Sequence, residues 1–232
     1  MDKEKLVVLT GAGISADSGI TTFRDSGGLW EGFDVMEVAS IEGWYRDPEK
    51  VLEFYNSRRR HLEHATPNEG HKALVELERL YDVTIITQNV DDLHERAGSE
   101  KVIHLHGELT KARPENAEQP IWEIGYRDIS LGDCDERGSQ LRPHIVWFGE
   151  MVPMMERAAL EVATSNKLLI IGTSLVVYPA AGLVELAPEH APVYVIDPVQ
   201  PEYRFPSNVH FIHESAAVGT PKLVSELLES VS

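Results

Sequence analysis

The 232-residue sequence has one cysteine, Cys134, which excludes internal disulfides and any four-cysteine zinc site. It is also short of positive charge. With 21 Lys and Arg against 38 Asp and Glu the net charge is −17, and a surface that neutralises nucleic-acid phosphates needs the opposite balance. An acidic surface suits basic peptide segments, and it equally serves solubility alone. No apolar run approaches the roughly 18 residues of a membrane span, and neither an internal repeat nor a low-complexity tract occurs. Met1-Asp-Lys-Glu-Lys5 leads straight into an apolar segment with no signal-peptide core. The expectation is a soluble, cytoplasmic protein without nucleic-acid or membrane partners.

Four short aliphatic runs, Leu6–Leu9, Val83–Thr87, Leu168–Ile171 and Val193–Ile196, fit strands buried on both faces. Val102–Leu105 and Val209–Ile212 add two shorter candidates. Helical spacing lies between them, over Glu69–Leu80 with Ala73, Leu74, Leu77 and Leu80 apolar, and over Met154–Thr164. This alternation predicts an α/β fold, a Rossmann-like parallel sheet with helices on both faces and ligands at the C-terminal strand ends. Two segments break the rhythm. Residues 34–66 read as a helical insertion rich in aromatic and basic residues. Residues 109–142 read as loop-like, with Ile121, Trp122, Ile124 and Tyr126 forming a small satellite core. One domain is expected: a core over about 1–33, 67–108 and 143–232, with the two insertions packed as a cap beside a cleft.

The first strand runs into Gly11-Ala-Gly-Ile-Ser-Ala16, a G-x-G-x-x-A turn suited to a pyrophosphate. Gly11 permits the turn, Gly13 brings backbone N–H groups close to phosphate oxygens, and Ala16 allows close packing. The usual second strand, with its acidic residue roughly 20 positions on, is missing here. Thr21-Thr-Phe-Arg-Asp-Ser-Gly-Gly-Leu-Trp30 reads instead as a loop folding over the ligand. The second strand ends in Gln88, Asn89 and Asp91, able to hold a ribose and a carboxamide; Asn89 or Asp91 would serve equally as a helix N-cap. His104 and His106 lie two apart, with three readings open: a metal pair, packed histidines without a chemical role, or a general base at His106 beside Gly107. Leu141-Arg-Pro-His-Ile-Val-Trp-Phe-Gly-Glu150 and Gly172-Thr-Ser-Leu-Val-Val-Tyr-Pro-Ala-Ala181 offer backbone edges to an extended peptide, although the first also reads as a core strand. Asp197 ends another strand where a ribose hydroxyl could be held.

These motifs, in this order from about Leu6 to Ala217, closely resemble the sirtuin family of NAD-dependent protein lysine deacylases. Phe54-Tyr-Asn-Ser-Arg-Arg-Arg60 and Val176-Val-Tyr-Pro-Ala-Ala181 are most similar to its bacterial CobB-type branch. The resemblance implies NAD as co-substrate, bound by Gly11, Ala12, Gly13, Ser15, Ala16, Asp17, Thr22, Phe23, Arg24, Trp30, Gln88, Asn89, Asp91, Gly172, Thr173, Ser174, Asp197 and Ala217. It makes His106 the general base, with Asn89 beside it, and Val146, Phe148, Gly149, Glu150 and Val177 the binding surface for an acylated-lysine protein. In the implied reaction the acyl oxygen displaces nicotinamide, the histidine activates a ribose hydroxyl, and deacylated lysine and acyl-ADP-ribose leave. Tyr55 and Arg58, three apart on a helix, resemble the pair that reads the carboxylate of succinyl- or malonyl-lysine, with deacetylation alongside. Arg59 and Arg60 read as a solvated face. The sequence departs from the family where two Cys-x-x-Cys pairs usually stand: the four positions resemble Pro114, Ala117, Cys134 and Arg137, so no zinc is expected. Asp197 replaces a usual asparagine. Mono-ADP-ribosyl transfer to protein, and a non-catalytic NAD or ADP-ribose sensor, remain as alternatives.

Overall fold

In the computed structural model, which describes residues 3–22, 29–30, 32–205 and 208–230, the first aliphatic run becomes β1 (Lys5–Thr10) at the middle of a parallel sheet. On one side β1 pairs with β4 (Asp82–Thr87), which pairs in turn with β5 (Val102–His104). On the other it pairs with β9 (Lys167–Ile171), followed by β10 (Val193–Ile196) and β11 (Val209–Ile212). The spatial order is β11-β10-β9-β1-β4-β5, so the chain crosses over a face between successive strands. Right-handed crossovers of this kind need helices.

Alternate side chains of the strands serve opposite layers. Leu6, Val8, Val83, Ile85, Leu169 and Ile171 pack under α4 (Glu69–Leu77) and α7 (Ala216–Glu229). Val7, Leu9, Ile86, Leu168, Ile170, Val193 and Val195 pack under α6 (Met155–Ala163) and the 3₁₀ segment Ala180–Leu186. Each such burial contributes about 1.5–3 kcal/mol before entropy is counted, which is why both-face burial reads as an unbroken aliphatic run. The helix expected to reach Leu80 stops at Leu77. Leu80 is exposed, and Tyr81 takes the buried place, donating its hydroxyl to the Leu227 carbonyl at 3.2 Å.

The cap begins with the antiparallel pair β2 (Leu29–Trp30) and β3 (Phe33–Asp34). Three helices follow, α1 (Val35–Val38), α2 (Ile41–Arg46) and α3 (Pro48–His64). Each starts where a side chain accepts a backbone N–H: Asp34 from Met36, Ser40 from Gly43, Asp47 from Lys50. After α5 (Leu93–Ala97), the segment expected to be loop-like carries a three-stranded antiparallel sheet, with β6 (Gly107–Pro114) between β7 (Trp122–Glu123) and β8 (Leu141–Ile145). The expected satellite core is not separate. Ile129 is buried, and Ile124 and Tyr126 pack, with Trp44, Phe54, Leu62, Leu109 and Trp147, into one core shared by α3 and this sheet; Trp122 stays outside it.

Arg59 corrects the expected solvated face. Arg60 is exposed and pairs with Glu53 and Asp128, but Arg59 is fully buried. Its guanidinium donates to the Leu109 carbonyl at 2.7 Å, to Asn56 Oδ1 at 2.6 Å and to the Arg127 carbonyl at 3.4 Å. Burial brings its pKa down to about 10. Asn56 completes the clamp, exchanging hydrogen bonds with the Ile129 carbonyl (2.9 Å) and N–H (3.0 Å).

Candidate functional site

Between sheet and cap lies a cleft of about 530 Å³, at the C-terminal ends of β1, β4 and β9, where ligands of parallel sheets sit. The turn after β1 forms one wall, held differently from the sequence expectation. Gly11 N–H and Gly13 N–H do not point to a ligand; they donate to the carbonyls of Ile171 (3.1 Å) and Gly172 (2.8 Å). The glycines are needed because the turn lies against the end of β9: a Cβ at Gly13 would sit 2.6 Å from Gly172 Cα, and Gly172 itself has φ +61°. Ala12, Ala16, Asp17 and Thr22 line the cleft. Phe23 and Arg24 lie outside the described residues.

Gln88, Asn89 and Asp91 leave the end of β4 toward the same space. Of the N-cap alternative only a turn role is present: Asp91 Oδ1 accepts the Leu93 N–H at 3.1 Å while α5 starts without a side-chain cap, and Asp91 Oδ2 accepts from Ser15 Oγ at 3.0 Å. Ser15 is buried beneath the cleft and does not line it. Its hydroxyl also accepts from Asn89 Nδ2 at 3.1 Å and meets His71 Nε2 at 3.4 Å. Because His71 Nδ1 faces the Asn68 N–H, Nε2 carries the ring proton and Ser15 is saturated, with one bond donated and two accepted. Gln88 Nε2 donates to Thr173 Oγ1 at 2.9 Å, tying the ends of β4 and β9 together. Sequence reasoning missed His71 and its neighbour His94, which packs edge-on at 4.9 Å and meets Thr10 Oγ1 at 3.1 Å. Burial lowers the His71 pKa to about 4 and puts His94 well below the ordinary histidine value. The only sequence signal was that two histidines follow a helix start and a strand end on either side of β4.

The two histidines after β5 separate. His106 Nδ1 faces the Gln88 carbonyl at 3.0 Å; a carbonyl only accepts, so Nδ1 carries the proton and Nε2 is left as an acceptor. Burial holds its pKa below the ordinary value. His104 instead has Nδ1 on the Asn89 carbonyl (3.2 Å) and Nε2 on Glu95 Oε1 (2.8 Å). The pair does not converge on a common point, and among the described residues no three His, Cys, Asp or Glu side chains are grouped to hold a metal ion.

On the cap side Tyr55 and Arg58 line the cleft from α3. Arg58 stacks over Trp30 at 4.0 Å from the ring centroid and lies 5.6 Å from that of Phe54. Tyr55 Oη accepts from Trp147 Nε1 at 3.0 Å, and burial raises its phenol pKa to about 12.

Val146, Phe148, Gly149 and Val177 also line the cleft, but the expected open edge is partly spent. Val146 N–H donates to the His106 carbonyl, and Phe148 gives its N–H to Ala39 and accepts from Ile41; its ring stays exposed. Glu150 borders the cleft with its carboxylate committed elsewhere. It accepts from Arg142 at 2.7 and 3.0 Å, from Arg113 at 3.2 Å and from the Trp147 N–H at 2.8 Å. The buried Arg142 requires that counter-ion, so the Glu150 carboxylate braces this wall of the cleft. At the far end, Thr173, Ser174 and Asp197 line the wall together with Ser215 and Ala216; Ala217 does not reach it.

A Sir2 family model matches residues 11–179. An NAD-dependent protein deacylase of Helicobacter pylori is 54% identical over 231 residues, covering 99% of this chain and 97% of the relative. One of Bacteroides thetaiotaomicron is 49% identical over 230 residues, covering 97% and 98%. Among solved structures, a Sir2 homologue in complex with NAD superposes with TM-score 0.89 at 39% identity, covering 99% of this chain and 91% of the other. Sir2Tm bound to a propionylated peptide gives 0.79 at 28% identity, covering 99% and 94%.

Proposed function

This chain belongs to the Sir2 family, and on that premise we propose that its NAD-dependent protein deacylase activity is directed at acyl-lysines ending in a carboxylate, succinyl- and malonyl-lysine ahead of acetyl-lysine. One observation carries the reading: a guanidinium, Arg58, and a phenol, Tyr55, border the same cleft as the histidine His106. A guanidinium and a neutral donor side by side match a carboxylate, whereas an acetyl group ends in a methyl with no charge to pair.

NAD fits the residues present, because one cleft runs from Gln88 and Asn89 past Gly11, Gly13 and Thr173 to Asp197. When bound, NAD supplies the ribose carbon that accepts the acyl oxygen as nicotinamide leaves. His106 Nε2 takes the proton of a ribose hydroxyl, its ring held in the correct tautomer by the Gln88 carbonyl. Ser15 orients the carboxamide of Asn89 and the carboxylate of Asp91. We further infer membership of the CobB-type branch and a cap that folds without zinc. Cys134 is exposed, and Asn56 and Arg59 hold the 109–129 stretch to α3 by hydrogen bonds.

Replacing Arg58 by methionine tests the acyl reading. The expected result is a loss of roughly tenfold or more in kcat/KM for succinyl-lysine peptide, equivalent to one charge-assisted bond, with acetyl-lysine turnover kept. An Arg58→Met enzyme that still preferred succinyl-lysine would contradict it.

A further inference from the structure

We propose that Trp147 is a positioning residue for acyl specificity, fixing the Tyr55 hydroxyl as a donor into the cleft; the inference rests on the reading of Tyr55 and Arg58 as the acyl-carboxylate site. A phenol has one proton and two acceptor positions, whereas an indole N–H can only donate. The Trp147 Nε1 to Tyr55 Oη contact at 3.0 Å therefore occupies an acceptor position and fixes the direction of the bond. The Tyr55 proton meets no protein acceptor among the described residues. Both rings are buried in protein except where they border the cleft, so the cleft is the one place where that proton finds a partner.

Trp147 is itself held on two sides. The Arg142 guanidinium lies 3.3 Å from its ring centroid, and the Trp44 ring lies at 5.4 Å. Arg142 is braced by Glu150 and by the Ile145 carbonyl. The indole cannot turn away without breaking this stack, so the hydroxyl it fixes is pre-organised before any acyl group enters. A hydroxyl free to rotate would lose part of its gain from a carboxylate to ordering. An acyl group ending in methyl makes no use of the arrangement, and this separates a specificity role from a packing role.

The test compares succinyl-lysine and acetyl-lysine forms of one peptide, with saturating NAD, in three proteins: Trp147→Phe, Tyr55→Phe and the double variant. A fourth protein carries benzothienylalanine at position 147, which keeps the bicyclic volume and removes only the N–H; it decides the matter if Trp147→Phe does not fold. For the position-147 variants the expected result is a rise of about tenfold in succinyl-peptide KM, with kcat and both acetyl-peptide constants nearly unchanged. In the Tyr55→Phe background the position-147 change should add nothing. Equal losses on both peptides, or an additive loss in the double variant, would overturn the proposal. A Tyr55→Phe enzyme that keeps its succinyl preference removes the acyl-site reading and this inference with it. A loss on Tyr55→Phe that neither position-147 variant reproduces removes this inference alone.

Discussion

His104 and His106 stand two residues apart, and their pKa values shift in opposite directions. Burial favours the neutral ring in both, and His106, facing one carbonyl, follows it downward. His104 is buried as well, but the hydrogen bond and charge of Glu95, with Glu108 nearby, outweigh burial and raise its pKa. Both His104 nitrogens face acceptors, which suits an imidazolium that pins the Asn89 backbone, whereas His106 is suited to take a proton. A base must be unprotonated to act, and the His106 pKa is lowered. The acid limb of kcat/KM should therefore fall at a pH below the ordinary histidine value of about 6.5, measured across a pH series at fixed ionic strength. His106→Ala should lower kcat by about 10²- to 10⁴-fold. An acid limb above 6.5 would contradict the assignment. The sequence favoured His106 as the base through Gly107, but gave His104 no definite role, because its partner, Glu95, comes from a different element. The contact of His71 with Ser15 was illegible for the same reason: 56 residues separate them, and their meeting depends on how α4 crosses the sheet.

At the scale of elements, the strands were readable because each is buried on both faces, so nothing polar interrupts the aliphatic run. The antiparallel sheet of β6, β7 and β8 was not. Its strands are separated by long proline- and glycine-rich stretches, and the pairing of Lys111 with Glu123 and of Arg113 with Arg142 leaves no local periodicity. The turn after β1 was readable as a turn but not in its use of N–H groups, since these depend on Gly172, about 160 residues away in the chain. The cap depends on α3 more than its polar sequence suggests. Asn56 and Arg59 satisfy backbone groups of Leu109, Arg127 and Ile129. Arg59→Ala should cost about 2–4 kcal/mol, because buried carbonyls lose a charged donor, read as a lower denaturation midpoint. The neighbouring Arg60→Ala, which removes only exposed pairs, should change it little. Equal effects of the two would contradict the clamp.

The described residues form a parallel sheet and a cap that share a cleft, in a chain whose net charge is −17. The proposed zinc-free cap relies on hydrogen bonds and a shared apolar core alone. Protein purified without added metal should therefore hold substoichiometric zinc, and chelator treatment should leave the melting temperature and activity unchanged; one tightly held zinc per chain would contradict this. The proposed activity rests on the chemistry of the cleft. Its most direct test is to incubate the protein with NAD and acetyl-, malonyl- and succinyl-lysine peptides and to measure nicotinamide, free lysine peptide and acyl-ADP-ribose together by mass spectrometry. The predicted result is nicotinamide release that requires acyl peptide, with the three products in equal amounts and a higher kcat/KM for succinyl- and malonyl-lysine than for acetyl-lysine. Nicotinamide release without acyl peptide, with ADP-ribose transferred to protein, or no release at all, would contradict it.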